Sequence, residues 1–201
     1  MDKLRPILLA LTAVAAFSLA YPAKANLITN GGFETGSFSS WTSSASLGAS
    51  LNVQGMFNGI SPHSGNFQLV GRLPTPGSSL SLFQSFSTTP GTNYTVTFFL
   101  ALSGSANIDV TFDNTSIFNH LFSSGFGYTE FTFSVTASNT VNFLEFIFGN
   151  GTGTFYLDDI SVEPAGVFPM AAQQFLCSVA LCSAWLPCGA NWVAKPCFVR
   201  K

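Results

Sequence analysis

Seven carboxylates and one cation are the main chemical resources of the stretch from Asn26 to Val162. They are Glu34, Asp109, Asp113, Glu130, Glu145, Asp158 and Asp159 against Arg72. A surface with that balance repels phosphate backbones, which argues against nucleic-acid binding. Its oxygens do suit a hard cation. Catalytic constellations are missing. The two histidines, His63 and His120, lack a metal-ligand spacing such as H-E-x-x-H. The stretch has no G-x-S-x-G elbow and no cysteine to act as a nucleophile. No glycine-rich phosphate loop opens a helix. Two carboxylates can cleave a glycoside, but seven acids allow so many pairs that none stands out; Asp109 and Asp113 read as polar strand and turn positions. No enzymatic activity is expected.

Strands must position these groups. Apolar residues recur with period two between turn signals, the mark of half-buried strands. Tyr94, Val96, Phe98 and Leu100 share one face of Thr92–Leu102; Phe131, Phe133 and Val135 alternate with Glu130, Thr132 and Ser134. Leu144, Phe146 and Phe148 form another set with Glu145 opposed to them. Further strands are expected at Ser46–Val53, Asn66–Gly71, Ser79–Ser87, Ala106–Phe112, Ser116–Phe122 and Thr154–Val162, separated by turns such as Thr89-Pro90-Gly91 and Gly149-Asn150-Gly151. No 3.6-residue apolar stripe interrupts them. Eight or nine short strands predict an all-β, two-sheet β-sandwich or jelly roll. The 22 Phe supply a core, and only 8% of the chain is charged, so Ser, Thr, Asn and Gly must furnish the outer faces and turns.

The ends are different. Residues 1–25 read as a secretory signal helix: Lys3 and Arg5, an apolar run from Ile7 to Ala20, then Ala23-Lys24-Ala25 as a small-x-small cleavage site. Export places the 26–162 domain outside the cytoplasm, secreted or at the cell surface. All four cysteines, Cys177, Cys182, Cys188 and Cys197, lie in the tail of residues 163–201, so the sandwich stands without disulfides. Their spacing lacks the C-x₂-C pairs usual for zinc. An apolar membrane anchor, two disulfides in any of three pairings, and a shifted reading frame all stay open for this tail.

Asn26-Leu-Ile-Thr-Asn-Gly-Gly-Phe-Glu34, with Gly36 and Trp41, resembles the first strand of galactose-binding-like jelly rolls. Ser64-Gly65-Asn66-Phe67-Gln68-Leu69, the stretch from Gln84 through Pro90-Gly91 to Tyr94, and Phe155-Tyr-Leu-Asp158-Asp159-Ile-Ser-Val162 continue the pattern. It is similar to carbohydrate-binding modules of families four and nine, and to exported bacterial proteins with a C-terminal PEP-CTERM sorting signal. Glu163-Pro164 and the terminal Lys195, Arg200 and Lys201 resemble a reduced form of that signal, which implies membrane attachment through the tail. The resemblance also implies a structural Ca²⁺ held by Glu34 and by Asp158 or Asp159; adjacent strand residues face opposite ways, so both aspartates serve only where the strand bulges. A sugar would stack on aromatic faces and bond to polar side chains. The ligand candidates are Trp41, His63, Arg72 and Tyr128, with Tyr156, Asn58, Asn66 and Gln68 near them in kind; for Trp41 a core position competes. Two functions follow: a non-catalytic exported module binding extracellular polysaccharide, or a structural or adhesive protein of the cell surface or matrix. Exposed aromatics on a concave sheet favour the first, a flat face of Thr and Ser the second.

Overall fold

A computed structural model of the protein describes residues 25–166. The expectations for the signal segment, the cysteines, the PEP-CTERM-like tail and membrane attachment lie outside these residues, apart from Ala25 and the few residues after Val162. Ten antiparallel strands form two five-stranded sheets. Sheet A runs β1 (Thr42–Ser46), β4 (Ser79–Ser87), β9 (Val141–Gly149), β6 (Ala106–Phe112), β7 (Thr115–Phe122) in spatial order. Sheet B runs β2 (Ser50–Gln54), β3 (Gln68–Leu73), β10 (Gly153–Pro164), β5 (Asn93–Gly104), β8 (Phe126–Thr136). The all-β jelly-roll sandwich expected from the sequence is the fold.

The inner faces carry the period-two residues. Leu80 and Leu82 of β4, Leu144, Phe146 and Phe148 of β9, and Ile108 and Val110 of β6 meet Leu69, Val96, Phe98, Leu100, Phe155 and Leu157 of sheet B, all fully buried. Phenylalanines lock the layers. Phe98 stands edge-on to Phe146 at 5.0 Å, and Phe155 lies flat on Phe148 at 3.5 Å. Gly71 makes that stack possible, because a Cβ there would come within 1.9 Å of the Phe155 ring.

Two expectations need correction. Ser46–Val53 is not one strand. Leu47 and Gly48 take positive φ (51° and 74°), and this turn carries the chain from the edge of sheet A to the edge of sheet B. The opening stretch Asn26–Glu34 is not a strand either. Its backbone is satisfied mainly by side chains and by the end of β10: Leu27 N–H donates to Val162 O, Asn26 Oδ1 accepts from Val162 N–H, and the buried Gln84 amide bonds both N–H and C=O of Thr29. Side chains thus take the place of a ladder.

Candidate functional site

Three of the four sequence motifs converge on one loop. Glu34 reaches across from the opening stretch and accepts hydrogen bonds from the N–H groups of Asn66 and Phe67 at 2.9–3.0 Å. Its carboxylate fills the space of an absent side chain: a Cβ on Gly65, which has φ +60°, would lie 2.3 Å from Glu34 Oε1. From the other end of the domain, Asp158 Oδ2 accepts from His63 N–H at 2.9 Å and Ser64 N–H at 3.3 Å. Asp158 Oδ1 accepts from Asp159 N–H. Ser64 Oγ–H donates to Asp159 Oδ1, and Nδ1 of His63 stands 2.7 Å from Asp159 Oδ2.

A β-bulge brings both aspartates to the same loop. Asp158 pairs with Phe99 and Ser161 with Thr97, so Asp159 and Ile160 together oppose one residue of β5. Asp159 takes φ 48°, a left-handed conformation that Asp tolerates better than most residues. Ile160 thereby returns to the core while Asp158 and Asp159 both face loop 63–64. Burial, followed by repulsion from Asp159, raises Asp158 from 3.8 to about 6; the donated N–H groups oppose that shift.

The loop covers the outer face of sheet B. His63 stacks on Phe99 at 3.6 Å and meets Tyr128 edge-on at 5.4 Å. Tyr128 donates to Gln68 Oε1 at 2.6 Å, and Gln68 Nε2 donates to the carbonyls of Gly55 and Ile60. Beneath them Val70, Ala101 and Tyr156 form a small second core with Phe57 and Ile60 packed over it. Tyr156 is 1% exposed, and among the described residues its hydroxyl has Asn58 beside it and no well-formed hydrogen bond. Burial raises the Tyr128 phenol, reinforced by Asp158 and Asp159.

The four ligand candidates therefore do not form one surface. Trp41 is inside: it lies against Phe33 at 5.9 Å, is 7% exposed, and donates its indole N–H to Asn30 O, so its ring offers no platform. His63 and Tyr128 do meet, but their rings pack against each other, and His63 also against Phe99. Arg72 is exposed on β3, in register with Ser50 and Thr154. As for metal, the oxygens of Glu34, Asp158 and Asp159 are the kind calcium takes. Every one of them already accepts a hydrogen bond or, at Asp159 Oδ2, faces His63. Among the described residues no three His, Cys, Asp or Glu side chains gather closely enough to hold an ion.

Among the described residues nothing covers the outer face of sheet A. In register across it stand Thr42, Phe83, Glu145 and Thr111, with Ser85 paired to Phe143 in the adjacent row. Phe83, Ser85, Phe143 and Glu145, together with Asn114 from the β6–β7 turn, line a groove of about 270 Å³. Sequence reasoning missed it. The available signal was an apolar residue in the polar phase of an alternating strand: in β4, Leu80, Leu82, Gln84 and Phe86 point inward, so Phe83 must point out. Phe143 does the same in β9, where Asn142 and Leu144 are buried.

No protein-family model matches the sequence, and no curated protein matches it. Solved structures do match. One is a family 61 carbohydrate-binding module in complex with β-1,4-galactotriose, with a TM-score of 0.57 and 19% identity over 71% of this chain and 100% of that one. The K1 cleaved adhesin domain of Lys-gingipain from Porphyromonas gingivalis gives a TM-score of 0.56 at 12% identity, over 67% and 96%. The enzymatically active domain of tailspike protein 4 from bacteriophage CBA120 also gives 0.57, at 13% identity over 70% of this chain; the chain spans about a fifth of that protein, 21%. The shared property is the fold, a two-sheet jelly roll.

Proposed function

We propose that this protein is an exported, non-catalytic module that binds extracellular carbohydrate through the outer face of sheet A. One observation carries the reading: the groove places two phenylalanine rings beside a carboxylate, an amide and a hydroxyl on a sheet face that no other described residues cover. Apolar rings take the faces of a sugar, and the polar groups take its hydroxyls. The likeness to a galactotriose-binding module supports the reading at the level of fold, and the secretory signal in the sequence supports export. The test is isothermal titration of the protein against a panel of soluble polysaccharides, with Phe83→Ala and Phe143→Ala alongside. A saturable glycan whose affinity falls at least about tenfold in either variant is expected; a panel without binding would remove the reading.

Structural calcium belongs to the same proposal. Its support is the arrival of Glu34, Asp158 and Asp159 at one loop from both ends of the domain. Binding there requires the carboxylates to exchange hydrogen bonds with the loop for the ion. A ligand held only by the folded state at 100 times its Kd adds about 2.7 kcal/mol, so the melting midpoint should fall on chelation and recover with calcium. An unmoved midpoint rejects the ion.

A structural or adhesive role is the second reading. It draws on the sheet A edge, where exposed Ser44 and Ser46 bond the hydroxyls of Ser81 and Ser79 in a flat, uncharged ladder. Glycan-independent self-association of the protein in sedimentation would favour it.

A further inference from the structure

Resting on the carbohydrate reading of sheet A, we propose that its groove selects a polysaccharide bearing free amino groups, with one ammonium seated at Glu145 beside Phe83 and Phe143. Glu145 is in register with Phe83 and two residues along the same strand face from Phe143. It is half-buried and makes no side-chain hydrogen bond or ion pair among the described residues. A carboxylate accepts only, so its natural complement is a donor, and a charged donor binds it about twice as strongly as a neutral one. The adjacent phenyl faces carry negative quadrupole charge and favour the same cation.

The rest of the face points the same way. Among the described residues the only Lys or Arg is Arg72, and it stands on sheet B. Sheet A adds a second carboxylate, Asp109, whose Oδ1 takes the hydroxyl of Ser116. A uronate or sulfate would meet only like charge here. At about 270 Å³ the groove lies just under the roughly 300–1,000 Å³ of drug-sized pockets, which suits one sugar ring of a longer chain.

The test compares a glucosamine oligomer with its fully N-acetylated counterpart of equal length, by titration calorimetry at low salt and a mildly acidic pH where the amines are protonated. The glucosamine oligomer should bind at least about tenfold more tightly. The difference should shrink as salt is raised. Glu145→Gln, isosteric and at the surface, should bring the two oligomers within about twofold, while Glu130→Gln on sheet B should keep the preference. Matching melting curves establish that both variants fold. Equal affinity for the two oligomers, or a preference that survives Glu145→Gln, overturns the amine inference. Binding of neutral glycans that is lost in Phe83→Ala but shows no amine preference overturns it while the carbohydrate reading stands. No binding of any glycan overturns both.

Discussion

The two outer faces of the sandwich begin from the same period-two strands and end in opposite states. Sheet B is roofed by loop 55–67, held down by Glu34, Asp158 and Asp159, with His63 packed on Phe99 and Tyr128, and Phe57 over Val70, Ala101 and Tyr156. Among the described residues sheet A carries no such cover, and its outward Phe83 and Phe143 meet solvent. The difference lies in where the acids fall. On sheet B they stand at a bulge and a turn where backbone N–H groups need acceptors, and they close a loop. On sheet A Glu145 faces no N–H and no cation among the described residues, and it stays available.

Asp158→Ala gives the largest expected effect. It strips the acceptor from three backbone N–H groups, those of His63, Ser64 and Asp159. Hydrogen bonds to a buried charge contribute about 1.5–3 kcal/mol each and orphaned donors cost more than their mean, so a loss of at least about 3 kcal/mol is expected in urea denaturation. A loss below about 1 kcal/mol would mean that the loop is not held from β10.

The pH dependence of the same residue comes next. In the calcium-free protein its folded-state value is raised from 3.8 to about 6, so protonation favours the folded form. That contribution is complete below about pH 4 and is lost as pH rises through about 6. The melting midpoint should therefore decline across this window, and Asp158→Asn, which keeps an acceptor oxygen but cannot ionise, should flatten the decline. An unchanged slope in Asp158→Asn would place the titration elsewhere.

The smallest effect is expected on the open face. Thr111→Val removes a buried hydroxyl without a partner, and such a removal is near neutral or stabilising. A change within about 0.5 kcal/mol is expected. A cost above about 1 kcal/mol would show that the hydroxyl is satisfied in solution.

The fold was legible because alternation reports burial directly: Ser79–Ser87 and Ala106–Phe112 have the boundaries that their patterns predict. The turn at Leu47-Gly48 was not, because Ser46–Val53 alternates weakly and a change of sheet leaves no mark on periodicity. Glu34, Asp158 and Asp159 were legible as a set that acts together, through their motifs. Their hydrogen-bond partners were not, because backbone N–H groups carry no residue identity. Trp41 stood open between ligand and core because an aromatic side chain looks alike whether it stacks on a sugar or on Phe33, and the structure places it in the core. The open face escaped notice because Phe is abundant enough here that one out-of-phase ring does not stand out by composition.

The central claim, that sheet A binds while the sheet B face is structural, is tested most directly by glycan titration of two variant sets in the same protein. Phe83→Ala with Phe143→Ala should abolish measurable binding and leave the melting midpoint nearly unchanged. His63→Ala with Tyr128→Phe should lower the midpoint and leave the affinity within about twofold at temperatures where the protein is folded. The reverse pattern, affinity lost from His63 and Tyr128 and retained without the two phenylalanines, would contradict the account.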